Sequence, residues 1–254
     1  MRSTVERRDS IIQIIQKNGK VRVDDLSEQF EVSSVTIRND LDFLEKKGIC
    51  YRTHGGALIR KNVYEDPTLE EKQKINKKEK ERIGAKALEF IDSGDSILLD
   101  SGTTTMEIAY RLNSKKNLTV MTNALNIALK LLSFDDINVM LTGGTLRKES
   151  YSLVGPEAEA SIRNYYFDKL FLGVDGLDFD VGLTTPNPRE AQLNRIMVSR
   201  AHQVIAVSDS SKFGRRSFSH ICSIDSIDTL ITDSDISTDF ENELLLRNVD
   251  VVKV

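Results

Sequence analysis

Asp100-Ser101-Gly102-Thr103-Thr104-Thr105 places a carboxylate, a glycine and a run of hydroxyls directly after a short apolar stretch. A small glycine-containing turn that feeds a helix is suited to an anion, because backbone amides and hydroxyls can all donate to phosphate oxygens. Similar polar or glycine turns follow later apolar stretches, as Thr122-Asn123, Gly143-Gly144 and Asp175-Gly176. Gly182, Glu190 and Asp209-Ser210-Ser211-Lys212 come further along. Asp175 and Glu190 could hold or move a proton, and Lys212 could neutralise developing negative charge. Taken singly these turns are ordinary, since Gly-Gly is commonly a plain turn and Ser-Gly-Thr a capped helix start. Gathered at one edge of one sheet, they make a site.

The elements around them provide that edge. Ser96–Asp100, Leu118–Thr122, Ile137–Leu141, Lys169–Gly173, Val204–Val207 and Thr229–Thr232 are short, nearly continuous apolar runs. Helical stretches such as Met106–Leu112 and Ala124–Leu132 separate them. This alternation predicts an α/β domain whose mostly parallel sheet is buried on both faces. Open parallel sheets bind ligands at the carboxyl ends of their strands, which is where the polar turns fall.

The first sixty residues read differently. Ile11, Ile14 and Ile15 form an apolar stripe on a first helix that ends at Asn18-Gly19, and Asp24 to Phe30 forms a second, two-turn helix. Ser33 is a good N-cap for a third helix, in which Ile37, Leu41 and Leu44 share one buried stripe. Val35, Asn39 and Lys46 fall on the opposite face with Arg38 on the flank, and Gly48 sits at the C-terminal cap position. Ile49–Arg52 and Ala57–Ile59 flank a hairpin tip at His54-Gly55-Gly56. Three helices and a hairpin predict a winged helix-turn-helix, whose third helix enters the major groove of DNA.

Charge divides the same way. The net charge is −4, but residues 1–60 hold 11 Lys/Arg against 9 Asp/Glu, so the cationic part is the N-terminal block. Two cysteines, Cys50 and Cys222, are too sparse for a disulfide framework or a zinc knuckle and suit a reducing, cytoplasmic setting. No apolar run is long enough to span a membrane, so no membrane partner is expected. The sequence has no H-E-x-x-H, paired C-x-x-C or Walker-type loop, and His202 and His220 lack ligand spacing, so neither a metal nor a cofactor is expected.

The order Val32-Ser33, Thr36-Ile37-Arg38, Asp40-Leu41, Leu44-Glu45, Gly48, Arg52 and His54-Gly55-Gly56-Ala57 resembles the DNA-binding domain of DeoR-family bacterial regulators. The turns from Asp100–Thr104 to Asp209–Lys212, with Gly155-Pro156 and Glu190-Ala191, resemble that family's effector domain. That domain is similar in fold to ribose-5-phosphate isomerase and glucosamine-6-phosphate deaminase. The resemblance implies a transcriptional regulator, in all expectation a repressor of a carbohydrate catabolic operon, that binds double-stranded operator DNA as a homo-oligomer (dimer or tetramer) and answers to a sugar-phosphate effector. Asn39 departs from the family, most of which carries a second Arg there. Asn favours the N6/N7 edge of adenine where Arg favours guanine or phosphate.

On this reading Ser33, Ser34, Val35, Thr36, Arg38, Asn39 and Lys46 meet DNA from the third helix, and Arg52 and His54 from the wing. The effector is assigned to Asp100, Ser101, Gly102, Thr103, Thr104, Thr105, Thr122, Asn123, Gly143, Gly144, Asp175, Glu190 and Lys212. The expected divisions are a DNA-binding domain at 1–59, a linker at 60–78 and an effector domain at 79–254. Within the linker, Lys72, Lys74, Lys77, Lys78 and Lys80 interleave with glutamates and read as a solvated helix. The alternative is a sugar-phosphate isomerase or deaminase carrying a DNA-binding domain, with Asp175 and Glu190 shuttling a proton and Lys212 stabilising an enediolate. The family resemblance implies binding without turnover.

Overall fold

A computed structural model of the chain describes residues 4–47, 49–53, 55–59 and 66–254. The chain divides into two compact units, Met1–Glu65 and Asp66–Val254.

The first unit comprises α1 (Thr4–Asn18), β1 (Lys20–Arg22), α2 (Val23–Phe30), α3 (Ser34–Lys46), β2 (Cys50–Thr53) and β3 (Gly56–Ile59). Ile37, Leu41 and Leu44 of α3 are fully buried against Ile11, Ile15 and Leu26. Each such side chain contributes roughly 1.5–3 kcal/mol. The wing is a three-stranded antiparallel sheet, β1-β3-β2, so Lys20–Arg22 joins the predicted hairpin as a third strand. Gly56 permits that pairing, because a Cβ there would lie 2.1 Å from the Val21 carbonyl oxygen. One polar cluster crosses this core. Asp40, almost fully buried on α3, accepts hydrogen bonds from Arg7 Nε at 2.6 Å and Arg8 Nε at 2.8 Å, which ties α3 to α1.

The second unit begins with α4 (Leu69–Lys74) and α5 (Lys77–Ala87), then β4 (Ser96–Leu99), α6 (Thr103–Ala109), β5 (Leu118–Thr122), α7 (Leu125–Leu131) and β6 (Ile137–Leu141). A short hairpin, β7 (Thr145–Leu146) with β8 (Leu153–Val154), leads to α8 (Pro156–Arg163) and β9 (Phe167–Gly173). There follow β10 (Gly176–Asp178), β11 (Gly182–Thr185), α9 (Pro188–Arg200), β12 (Ala201–Val207), β13 (Ser219–Cys222), β14 (Thr229–Thr232), α10 (Thr238–Leu246) and β15 (Asp250–Lys253). Seven strands form one sheet in the order β15-β14-β12-β9-β4-β5-β6, with every neighbouring pair parallel. Alternate residues face opposite layers, as strand geometry requires. Leu98, Leu170, Leu172 and Ala206 pack with α8, α9 and α10, whereas Ile97, Leu99, Phe171 and Ile205 pack with α5, α6 and α7. A second, antiparallel sheet joins β10, β11 and β13.

The structure differs from the expected divisions at the linker. Residues 60–65 lie outside the described residues, but 66–78 are built into the second unit. Asp66 pairs with Arg147, the Leu69 amide donates to the Glu149 carbonyl, and Lys72 reaches Asp175. Asp66 and Lys72 thus face fixed partners in the fold, whereas Lys74, Lys77 and Lys78 are exposed as a solvated helix requires. The second compact unit starts at Asp66.

Candidate functional site

The winding direction of the parallel sheet reverses beside β4. The chain runs outward from β4 to β5 and β6, then returns to β9 on the other flank of β4. Loops leaving the carboxyl ends of β4 and β9 diverge, and such a gap is where open sheets hold ligands. A cleft fills it. Asp100 to Thr104 and Gly173 to Asp175 form its floor, Ser150, Thr185 and Glu190 one side, and Ser208-Asp209 with Lys212 another. Lys72 and Lys80 close it from the segment that precedes the sheet.

Asp100, Ser101, Gly102, Thr103, Thr104, Asp175, Glu190 and Lys212 thus come together, from stretches far apart in the chain. Thr105, Thr122, Asn123, Gly143 and Gly144 do not line the cleft. The Thr105 hydroxyl donates to the Gly102 carbonyl at 3.1 Å, and that of Thr122 accepts from the Ala124 amide at 3.1 Å. Asn123 is buried behind the floor, where its amide donates to Ser101 Oγ at 3.4 Å. Gly144 is a packing glycine at φ +101°, since a Cβ there would lie 2.6 Å from the Val154 carbonyl oxygen, and Gly143 is an exposed turn residue. These turns do follow strand ends, but their polar groups serve the fold.

The cleft is charged and mostly self-paired. Asp175 Oδ1 lies 3.0 Å from Lys72 Nζ and 3.6 Å from Lys212 Nζ, and Thr185 Oγ1 donates to Oδ2 at 3.3 Å. Burial alone would raise the Asp175 carboxyl, yet Lys72 and Lys212 outweigh it and hold the group at about 2. For Lys72, burial pulls the ammonium down but Asp175 more than offsets it, and the net shift is upward. Burial pushes the Asp100 carboxyl well above the usual carboxylate range, with Glu190 and Asp175 adding to the effect. Glu190 Oε1 accepts from Ser150 Oγ at 2.7 Å and Ser152 Oγ at 2.6 Å, and lies 2.5 Å from Arg147 NH1. Lys80 Nζ donates to the Lys72 and Ile75 carbonyls at 2.6 and 2.7 Å, and burial lowers it to about 8.

Lys72, Lys80, Ser150, Asn194 and Asp209 are cleft residues that the sequence reading did not assign. Asp209 belonged to a motif it had singled out. Nothing local marks the lysines, because Lys72 finds its partner 103 residues further along.

In the first unit, Ser33 caps α3, accepting from the Thr36 amide at 3.2 Å and sharing a hydrogen bond with Thr36 Oγ1 at 2.9 Å. Ser33 and Thr36 are therefore committed to shaping the helix start. Val35, Arg38 and Asn39 are exposed together, and Ser34 is half-buried. Arg52, expected to reach DNA from the wing, donates through Nε to Asp42 Oδ1 at 2.7 Å and through NH1 to the Gly56 carbonyl at 2.7 Å. It fastens the wing to α3. Lys46 is within α3, but its side chain, like Gly48 and His54, lies outside the described residues. Among the described residues, no group of three or more His, Cys, Asp or Glu could hold a metal, and no helix is long and apolar enough to cross a membrane.

A winged helix with an exposed reading face, joined in one chain to a parallel sheet with a charged cleft at its switch point, defines a DNA-binding protein equipped to sense a small molecule. Residues 7–63 match the DeoR-like helix-turn-helix domain, and residues 75–234 match the DeoR C terminal sensor domain. The chain belongs to the DeoR family of transcriptional regulators, and neither the family nor its matched relatives are enzymes. It is 44% identical over 253 residues to a protein of Escherichia coli O157:H7 named for repression of the aga operon, covering 99% of this chain and 94% of that one. It is 33% identical over 229 residues to the glycerol-3-phosphate regulon repressor of Escherichia coli K12, covering 90% of each. Among solved structures, a D-ribose-5-phosphate isomerase in complex with phospho-erythronic acid is similar at a TM-score of 0.41 and 17% identity, over 54% of each chain.

Proposed function

We propose that this chain is a cytoplasmic repressor of a carbohydrate catabolic operon, and that a phosphorylated sugar or amino sugar entering the cleft lowers its affinity for the operator. The observation that carries this is the composition of the cleft. Ser101, Thr103 and Thr104 stand with Lys72, Lys80 and Lys212, groups that donate to phosphate, beside Asp100, Asp175 and Glu190, groups that engage hydroxyls or an amine. Relatives named for the aga operon and for the glycerol-3-phosphate regulon support the same class of effector. Because one winged helix covers little DNA, a homo-oligomer reading repeated half-sites completes the proposal. A base that abstracts protons needs a carboxyl poised near the working pH. Asp175, held at about 2 by two lysines, is a poor one, which supports binding without turnover.

Thr103→Val combined with Thr104→Val leaves duplex binding intact and abolishes release by sugar phosphate. Fluorescence anisotropy with a duplex selected in vitro by the wild-type protein, titrated with galactosamine 6-phosphate and N-acetylgalactosamine 6-phosphate, reads both. Retained release places the phosphate elsewhere. For the reading helix, Arg38→Ala relaxes preference at one base pair by about 1–3 kcal/mol. Equal losses on selected and scrambled duplexes would reduce Arg38 to a phosphate contact.

A further inference from the structure

Residues 66–76 cross the cleft as a strap, and in the chain they follow directly on the DNA-binding unit. Little apolar burial holds the strap down, since Leu69 is buried but Ile75 is 50% exposed. Its anchors are polar, and nearly all go to the cleft or to residues beside it. Arg147 lies 2.5 Å from Asp66 and also 2.5 Å from Glu190, so one guanidinium joins the strap to a cleft carboxylate. The Leu69 amide donates to the Glu149 carbonyl at 2.7 Å, and the Tyr151 hydroxyl donates to Glu70 at 2.7 Å. Asn76 Nδ2 donates to Asp209 Oδ1 at 2.7 Å, and Lys72 Nζ stands 3.0 Å from Asp175. The following helix is fixed in another way. Ile83 and Ala87 of α5 are fully buried, and at Gly84 a Cβ would lie 2.6 Å from the Glu107 Cβ of α6.

A segment held by apolar burial is indifferent to the charge of a ligand, whereas a segment held by ion pairs inside a binding site is not. Lys72 and Lys212 both face Asp175 in the cleft. An anion that draws in either lysine competes with that carboxylate, and a hydroxyl that occupies Asp175 competes with Lys72. Occupancy therefore acts on the strap before it acts on the buried helix behind it.

We propose that Lys72 is an effector-binding residue carried by the strap, and that its exchange of Asp175 for the anionic group of the effector shifts residues 66–76, the segment through which occupancy reaches the DNA-binding unit. The inference rests on the reading of the cleft as a sugar-phosphate site and names the regulation of that site.

The test uses the full chain as wild type, Lys72→Met and Tyr151→Phe, with melting curves to verify folding. Affinity for the selected duplex and amide hydrogen exchange in residues 66–76 are measured with and without galactosamine 6-phosphate, N-acetylgalactosamine 6-phosphate, ribose 5-phosphate and inorganic phosphate. With no ligand present, Lys72→Met weakens duplex binding by about five-fold or more, the lower end of ordinary allosteric coupling, and speeds exchange in the strap. Tyr151→Phe, which loosens the strap from outside the cleft lining, does the same to a smaller extent and decides alone if Lys72→Met fails to fold. A sugar phosphate that raises the wild-type melting temperature speeds strap exchange and binds Lys72→Met about ten-fold more weakly. Wild-type duplex affinity and exchange in the folded variants overturn the proposal. So does a sugar phosphate that binds wild type and Lys72→Met equally and leaves strap exchange unchanged, although the cleft would then remain an effector site. If no compound in the panel binds while Lys72→Met still weakens the duplex, the strap stands and the sugar-phosphate reading falls.

Discussion

Asp40→Ala costs the DNA-binding unit about 3–5 kcal/mol and abolishes duplex binding, although Asp40 is buried while Val35, Arg38 and Asn39 are exposed on α3. The carboxylate is almost fully buried and receives Arg7 Nε at 2.6 Å and Arg8 Nε at 2.8 Å. Removing it leaves the Arg7 side chain, 9% exposed, without the carboxylate that it pairs with. Arg8 retains its place over the Phe43 ring, 3.9 Å from the centroid, and is half-buried, so most of the loss comes from Arg7. A loss of this size is comparable to the whole stability of a domain of some sixty residues. Thermal unfolding of the full chain should then lose its first-unit transition while the second unit keeps its own. Asp40→Asn, which keeps an acceptor and drops the charge, falls between. Wild-type melting of Asp40→Ala would show that apolar packing alone seats the reading helix.

The second large effect appears in acid. Asp175 titrates at 3.8 when unfolded and at about 2 in the folded cleft, where Lys72 and Lys212 overcome its burial. Between those values the unfolded chain binds more protons, so the stability from this residue is present above the unfolded value and disappears as pH falls towards 2. The difference amounts to about 2 kcal/mol. Asp100 works in the opposite sense. Its carboxyl is raised in the fold, so its contribution weakens as pH rises from 3.8. Burial, the largest cause of that slope, is common to wild type and an Asp175→Asn variant, while the smaller part that comes from the Asp175 charge is lost in the variant. Urea unfolding of the second unit from neutral pH down to the acid limit should show the two proteins converging, with Asp175→Asn about 2 kcal/mol less stable at neutral pH. Parallel curves would mean that the lysines do not hold Asp175 ionised.

How much of this was legible depended on how far apart in the chain the decisive partners lie. The core strands of the parallel sheet were readable because each is a local apolar run, and α3 because Ser33 and its stripe lie within a dozen residues. The edge strand Asp250–Lys253 was not, since its two valines sit between charged residues and it pairs with β14 alone. The strand-end rule placed Asp100–Thr104, Asp175, Glu190 and Lys212 in one cleft. It also drew in Gly143, Gly144 and Thr122, whose roles in turns and packing look the same in sequence. Lys72 and Lys80 were lost because alternating Lys and Glu describes a solvated face equally well. Their partners are a carboxylate from β9's loop and two carbonyls at the end of α4. The contacts of Arg52 were hidden for a related reason, since nothing in its neighbourhood reveals that its guanidinium reaches the Gly56 carbonyl and Asp42.

The seam at Glu65/Asp66 also governs how such proteins can be recombined. An exchange of reading heads between relatives that is joined there carries Asp66, Lys72 and Asn76 along with Arg147, Asp175 and Asp209, their partners in the same unit. Joined a dozen residues later, at the apparent start of the long amphipathic helix, the hybrid inherits a foreign roof over a native pocket. On the proposed reading of the cleft, such a hybrid keeps its DNA-binding unit but loses its response to the effector.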